Sequence, residues 1–106
     1  MTEYGEKRVV PRFTFIANVE ISDPDSGIRL AGRISEISRK GCYIDLLNTL
    51  SKDTAVQLRI TRDSGMLALP GHVIYVLERM GMGVAFSDVA PEQMAILDAW
   101  LKELAG

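Results

Sequence analysis

Apolar and polar residues alternate singly through most of this chain. From Phe13 to Ile21, the residues Phe13, Phe15, Ala17, Val19 and Ile21 alternate with Thr14, Asn18 and Glu20, and Ile16 is the one apolar residue on the polar side. A period of two is that of a strand with one buried face. Asp23-Pro24-Asp25-Ser26-Gly27 then reads as a turn, because Pro presets φ, Asp bonds its own backbone and Gly accepts positive φ. Ile28, Leu30, Gly32 and Ile34 alternate with Arg29, Ala31, Arg33 and Ser35, predicting a second strand paired with the first as a hairpin whose outer face is basic. Ser35 to Gly41 is polar and reads as a loop, and Cys42, Ile44 and Leu46 alternate with Tyr43 and Asp45 as a third strand.

Asn48 to Thr54 reads as a turn, and Val56, Leu58 and Ile60 alternate with Gln57 and Arg59 as a fourth strand, closed by Arg62-Asp63-Ser64-Gly65. Met66 to Leu77 is apolar around Pro70 and Gly71, which predicts a bulge or an edge, with Gly71 as the bend. Met82 to Ser87 is a sixth short strand. Pro91-Glu92-Gln93 opens a helix, since Pro suits the first helical position and an acidic first turn suits the dipole, although Ala90 offers no cap. Met94, Leu97, Leu101 and Leu104 form an apolar stripe that must pack on something, and an open barrel end is the natural place. Six short strands followed by one helix predict a mainly all-β fold, a six-stranded antiparallel Greek-key-like β-barrel with a C-terminal α-helix. Met66, Met80, Met82 and Met94 are expected as core filler, Cys42 as a small buried hydrophobe and His72 as a surface strand residue.

At 106 residues the chain has the size of one domain, and 47% hydrophobic with 25% charged residues is an ordinary globular composition. No apolar run approaches the roughly 20 residues of a membrane span, and the charged start MTEYGEKRVV lacks a signal-peptide core, so the expected address is the cytoplasm. With Cys42 the single cysteine there is no intramolecular disulfide and no cysteine-based zinc site. The net charge of -2 argues against a DNA- or RNA-binding protein. A single-stranded nucleic-acid barrel would also need a run of exposed aromatics along a basic groove, and only Tyr4 and Tyr43 are candidates. No nucleophile with a positioned base, no metal cluster and no phosphate-cradling glycine loop can be read, so an enzyme is not expected. Residues 1–41 carry seven basic and six acidic side chains against five and eight in residues 42–106, which directs the search for an anion site to the first part.

Two short polar patterns stand out there. Arg8-Val9-Val10-Pro11-Arg12 precedes the first strand, and Glu36-Ile37-Ser38-Arg39-Lys40-Gly41 lies between the second and third. Together they resemble the PilZ family, marked by Arg-x-x-x-Arg before the first strand and Asp/Asn-x-Ser-x-x-Gly between the second and third. The resemblance extends from about Arg8 to the helix. Glu36 departs from the pattern where Asp or Asn is usual, and Lys40 stands where many members have a second glycine.

The resemblance implies a cyclic di-GMP sensor with Arg8, Arg12, Glu36, Ser38 and Gly41 at the ligand and Lys7, Arg39 and Lys40 as secondary contacts. The residue types suit that dianion: arginine forks match phosphate oxygens and guanine O6 and N7, and a carboxylate accepts from guanine N1–H and N2–H. Glu36 keeps the charge but places its carboxylate roughly 1.5 Å farther from the backbone than Asp would. Residues 1–12 are expected to form a mobile segment that orders over the ligand, and residues 13–106 the barrel and helix. The ordered segment would then present a changed surface to a downstream protein. The other reading is a PilZ-like protein adaptor without nucleotide binding.

Overall fold

The structure, a computed structural model, describes residues 10–63 and 65–106. Its strands are β1 (Arg12–Ser22), β2 (Arg29–Ser38), β3 (Gly41–Asp45), β4 (Ala55–Arg62), β5 (Gly65–Leu77) and β6 (Gly81–Phe86), followed by the helix α1 (Pro91–Ala105). All pairings are antiparallel, and the strands close in the order β1-β2-β3-β6-β5-β4, with β4 returning to β1. The barrel is thus two three-stranded meanders, β1–β3 and β4–β6, joined by a β1–β4 seam and a β3–β6 seam. The β1–β2 turn forms as its residue types dictate: the Asp23 carboxylate accepts from the Asp25 N–H at 2.9 Å, and Gly27 takes φ +78°.

The inward residues of all six strands make one core, with Ile21, Ile34, Ile44, Ile60, Leu67, Val73 and Met82 fully buried. Cys42 lies in it, and burial pushes its thiol up to about 12. Ile16 points outward, as the alternation predicts, and His72 is on the surface with Nδ1 3.1 Å from the Ser87 hydroxyl. Met66 and Met80 are exposed, so only Met82 and the half-buried Met94 serve the core. The basic outer face of β2 is paired: Arg29 lies 3.9 Å from Glu20, and Arg33 3.3 Å from Asp45.

Two local expectations change. The polar stretch from Ser35 is strand as far as Ser38, leaving Arg39 and Lys40 as the whole turn. An extra residue at Ser35 shifts the β2–β3 register between Ile34 and Glu36, so that Ile34 and Ile37 are both buried although three apart. In β5, Pro70 and Gly71 stay in register with Gln57 and Val56, and the irregularity falls between Val73 and Tyr75 instead. A Cβ on Gly71 would lie 2.6 Å from the Ala85 carbonyl oxygen, so this glycine serves close strand approach rather than a bend.

Helix α1 lies across the barrel end where β1 begins. Leu97 and Trp100 are buried, Trp100 packs on Phe15 with ring centroids 5.7 Å apart, and the Arg62 guanidinium sits 5.4 Å over the Phe15 ring. Ala90 makes no side-chain cap, as expected, and Gly106 at φ +86° terminates the helix. Among the described residues, three polar contacts join the helix to the barrel: Ala68 N–H to Gln93 at 2.8 Å, Arg62 to Glu103 at 2.8 Å, and Arg39 Nε to Asp98 at 2.9 Å.

Candidate functional site

At the same end of the barrel, a depression of about 200 Å³ runs over the outer face of β2, β3, β6 and β5. Arg12, Glu36, Ser38, Lys40 and Gly41 line one part of it, and Tyr43, Ile74, Tyr75, Gly83 and Ala85 another. Residues of both sequence patterns therefore meet in one place. They do so because Arg12 is the strand partner of Ser38 and Thr14 that of Glu36, which brings the start of β1 against the end of β2. Arg8 and Lys7 lie outside the described residues.

Each side chain has a distinct setting. The Arg12 guanidinium is 3.6 Å from a Glu36 carboxylate oxygen, with both side chains largely solvated. Such a pair contributes about 0–1 kcal/mol, so an incoming anion displaces it at little cost. The Ser38 side chain is buried, and its hydroxyl accepts the backbone N–H of Lys40 at 3.1 Å and of Gly41 at 3.2 Å while reaching the Gly41 carbonyl at 3.4 Å. It shapes the turn that presents Lys40. Gly41 is not at positive φ; a Cβ there would collide with the Val84 carbonyl oxygen, so the glycine lets β3 run close against β6. The Lys40 carbonyl accepts the Phe86 N–H at 2.8 Å, which leaves the exposed side chain to solvent and to the depression. Arg39 is engaged elsewhere, forking onto both Asp98 oxygens at 2.9 and 3.4 Å.

The tyrosine side of the depression carries residues that the two motifs do not contain. Tyr43 and Tyr75 are stacked, with centroids 6.3 Å apart and planes 25° off parallel. Burial, then the charge of Asp45 and the neighbouring Tyr75, raises the Tyr43 phenol above its usual range. The signal for this pair was present as Gly81-Met82-Gly83, two glycines on one face of a short strand, which a neighbouring aromatic commonly covers. Among the described residues no cluster of three His, Cys, Asp or Glu is placed to hold a metal, and no helix is long and apolar enough to cross a membrane.

The sequence matches the family model of the PilZ domain over residues 6–103. No curated protein matches it. Among solved structures, the PilZ domain of CeSA from a cellulose-synthesizing bacterium is 21% identical, with a TM-score of 0.71 over 91% of this chain and 99% of that one. The PilZ domain of YcgR from Escherichia coli, solved with c-di-GMP, is 15% identical, with a TM-score of 0.78 over 93% of this chain and 92% of that one. The Bacillus subtilis inhibitor of motility MotI/DgrA is 17% identical, with a TM-score of 0.73 over 89% of this chain and 48% of that one. At these identities the likeness is one of fold.

Proposed function

Because the chain belongs to the PilZ domain family, we propose that it is a cyclic di-GMP receptor domain that signals to a partner protein and catalyses no reaction. The observation that carries this reading is the single depression lined by Arg12 from one motif and Glu36, Ser38 and Gly41 from the other. Arg12 and Lys40 supply cations for the phosphates. The Glu36 carboxylate has acceptor capacity for guanine N1–H and N2–H even while it touches Arg12. Ser38 acts by holding the turn, and Gly41 by keeping the wall thin. Arg8, four positions before Arg12, contributes a second guanidinium as residues 1–12 order over the ligand, and the covered ligand and ordered segment form the surface the partner reads. On this reading the domain works in the cytoplasm.

Calorimetric titration with cyclic di-GMP at one fixed ionic strength tests this, since phosphate contacts are screened by salt. Arg8→Ala and Arg12→Ala are each expected to weaken binding roughly tenfold to a hundredfold, the equivalent of ~1–3 kcal/mol for a charged hydrogen bond, with the fold intact. Glu36→Asp is expected to tighten binding by shortening the reach to the base. Hydrogen exchange should slow in residues 1–12 and in the Arg39–Lys40 turn when ligand is added, and protection of the turn alone would remove the ordering step. The second reading is an adaptor without nucleotide binding, in which Arg12 stays beside Glu36 instead of meeting a phosphate. Absence of binding by both wild type and Glu36→Asp would overturn the receptor reading.

A further inference from the structure

The two motifs build one wall of the depression and leave its floor unexplained. The outward positions of β6 are Gly81, Gly83 and Ala85, of which Gly83 and Ala85 line the depression, so the strand offers almost no side chain there. The space is filled from both sides. A Cβ on Gly83 would run into the Tyr75 ring, and one on Gly81 would meet the Ile44 carbonyl and the Tyr43 phenol oxygen. The bulge at Ile74 in β5 sets Tyr75 opposite Gly83, whereas unbroken pairing after Val73 would set Tyr75 opposite Met82 with its ring inward. Tyr75 nevertheless remains 43% exposed, so one surface of the stacked pair faces the depression that Arg12, Glu36 and Lys40 also line.

Resting on the receptor reading above, we infer that one guanine base of cyclic di-GMP lies flat against the Tyr43–Tyr75 pair, with Tyr75 as its main stacking residue. Three chemistries that a nucleotide requires then meet in one depression: cations for phosphate, a carboxylate for the N1–H and N2–H edge, and an aromatic surface for the base. The rings are fixed against bare backbone before any ligand arrives, so stacking a base on them costs little side-chain entropy. Base–aromatic stacking of this kind changes affinity by roughly tenfold to a hundredfold when the ring is removed. The opposing account is that the rings merely shield the glycines of β6.

The experiment follows the aromatic-ring resonances of Tyr43 and Tyr75 by NMR while cyclic di-GMP, millimolar GMP, or ribose 5-phosphate is added to the full chain. Stacking predicts ring-current shifts at Tyr75 with both guanine ligands and none with the baseless sugar phosphate. It also predicts that Tyr75→Phe keeps the wild-type affinity while Tyr75→Leu weakens it roughly tenfold to a hundredfold. Should Tyr75→Leu fail to fold, the wild-type ring shifts still decide the matter. Cyclic di-GMP binding with no shift at either tyrosine overturns the aromatic floor and leaves the receptor intact. Shifts with GMP in a protein that does not bind cyclic di-GMP overturn the receptor reading and with it the cyclic di-GMP pose, leaving the pair a surface for guanine mononucleotides. No tyrosine shift with any ligand, together with no calorimetric binding of cyclic di-GMP, overturns both.

Discussion

A methyl group at residue 41 would collide with the Val84 carbonyl oxygen, so Gly41→Ala must push β3 away from β6. The expected cost is that of overpacking, on the order of 1–3 kcal/mol, visible as a lower melting temperature in the ligand-free protein. An unchanged melt would return Gly41 to a purely ligand-facing role. Its neighbour Cys42 predicts a pH effect. The folded thiol is held near 12 against an ordinary value of 9.0, so above pH 9 the unfolded chain loses a proton that the folded chain keeps. Stability is therefore complete below pH 9 and falls as pH rises towards 12, at up to ~1.4 kcal/mol per pH unit. Urea midpoints at pH 8 and pH 10 should fall more for wild type than for Cys42→Ala, and equal falls would show that the thiol is not the titrating group. At this scale the motif residues were legible because each motif is short and contiguous at a strand end. Tyr75 was not, because its partners Tyr43 and Gly83 reach it only through strand pairing.

Among the elements, those with unbroken alternation, β1 and β4, were legible from the sequence almost to their ends. β2 was not, because the inserted Ser35 breaks the period and makes Ile37 look like part of a polar loop. β5 was misread for a related reason: Pro and Gly draw attention to residues 70 and 71, while the irregularity sits at Ile74, which has no turn chemistry. Helix α1 was legible from its stripe, and the structure separates what holds it from what decorates it. Leu97 is fully buried, whereas Arg39–Asp98 joins two solvated side chains. Leu97→Ala should cost about 2–5 kcal/mol and Asp98→Ala less than about 1 kcal/mol. Denaturant melts of the two variants check this, and comparable losses would make the ion pair a structural anchor rather than a surface contact.

For the molecule as a whole, turn signals reveal the hairpins within each meander but carry no information on the two seams, which pair residues as distant as Asn18 with Thr61. Closure was expected from the number and shortness of the strands, while the β3–β6 adjacency had to be seen. Closure also limits how a partner can bind. With β4 returning to β1, every described strand has a neighbour on each side, so recognition by a partner is expected to use mainly side-chain surfaces.

The β3–β6 seam has a further consequence, measured in time. The depression takes Arg12, Glu36 and Lys40 from the first meander and Tyr75, Gly83 and Ala85 from the second, so neither half alone carries it. Long-range pairings of this kind form late, after the loop-closure cost has been met. A ligand seated there grips only the zipped barrel. In stopped-flow experiments cyclic di-GMP should slow unfolding by the factor one plus ligand concentration over Kd and leave the refolding rate unchanged. Faster refolding with ligand would mean that one meander already holds the nucleotide before the seam closes. Under the expected outcome, each binding event lengthens the life of the folded barrel, and the second messenger's concentration is written into the protein's persistence as well as its shape.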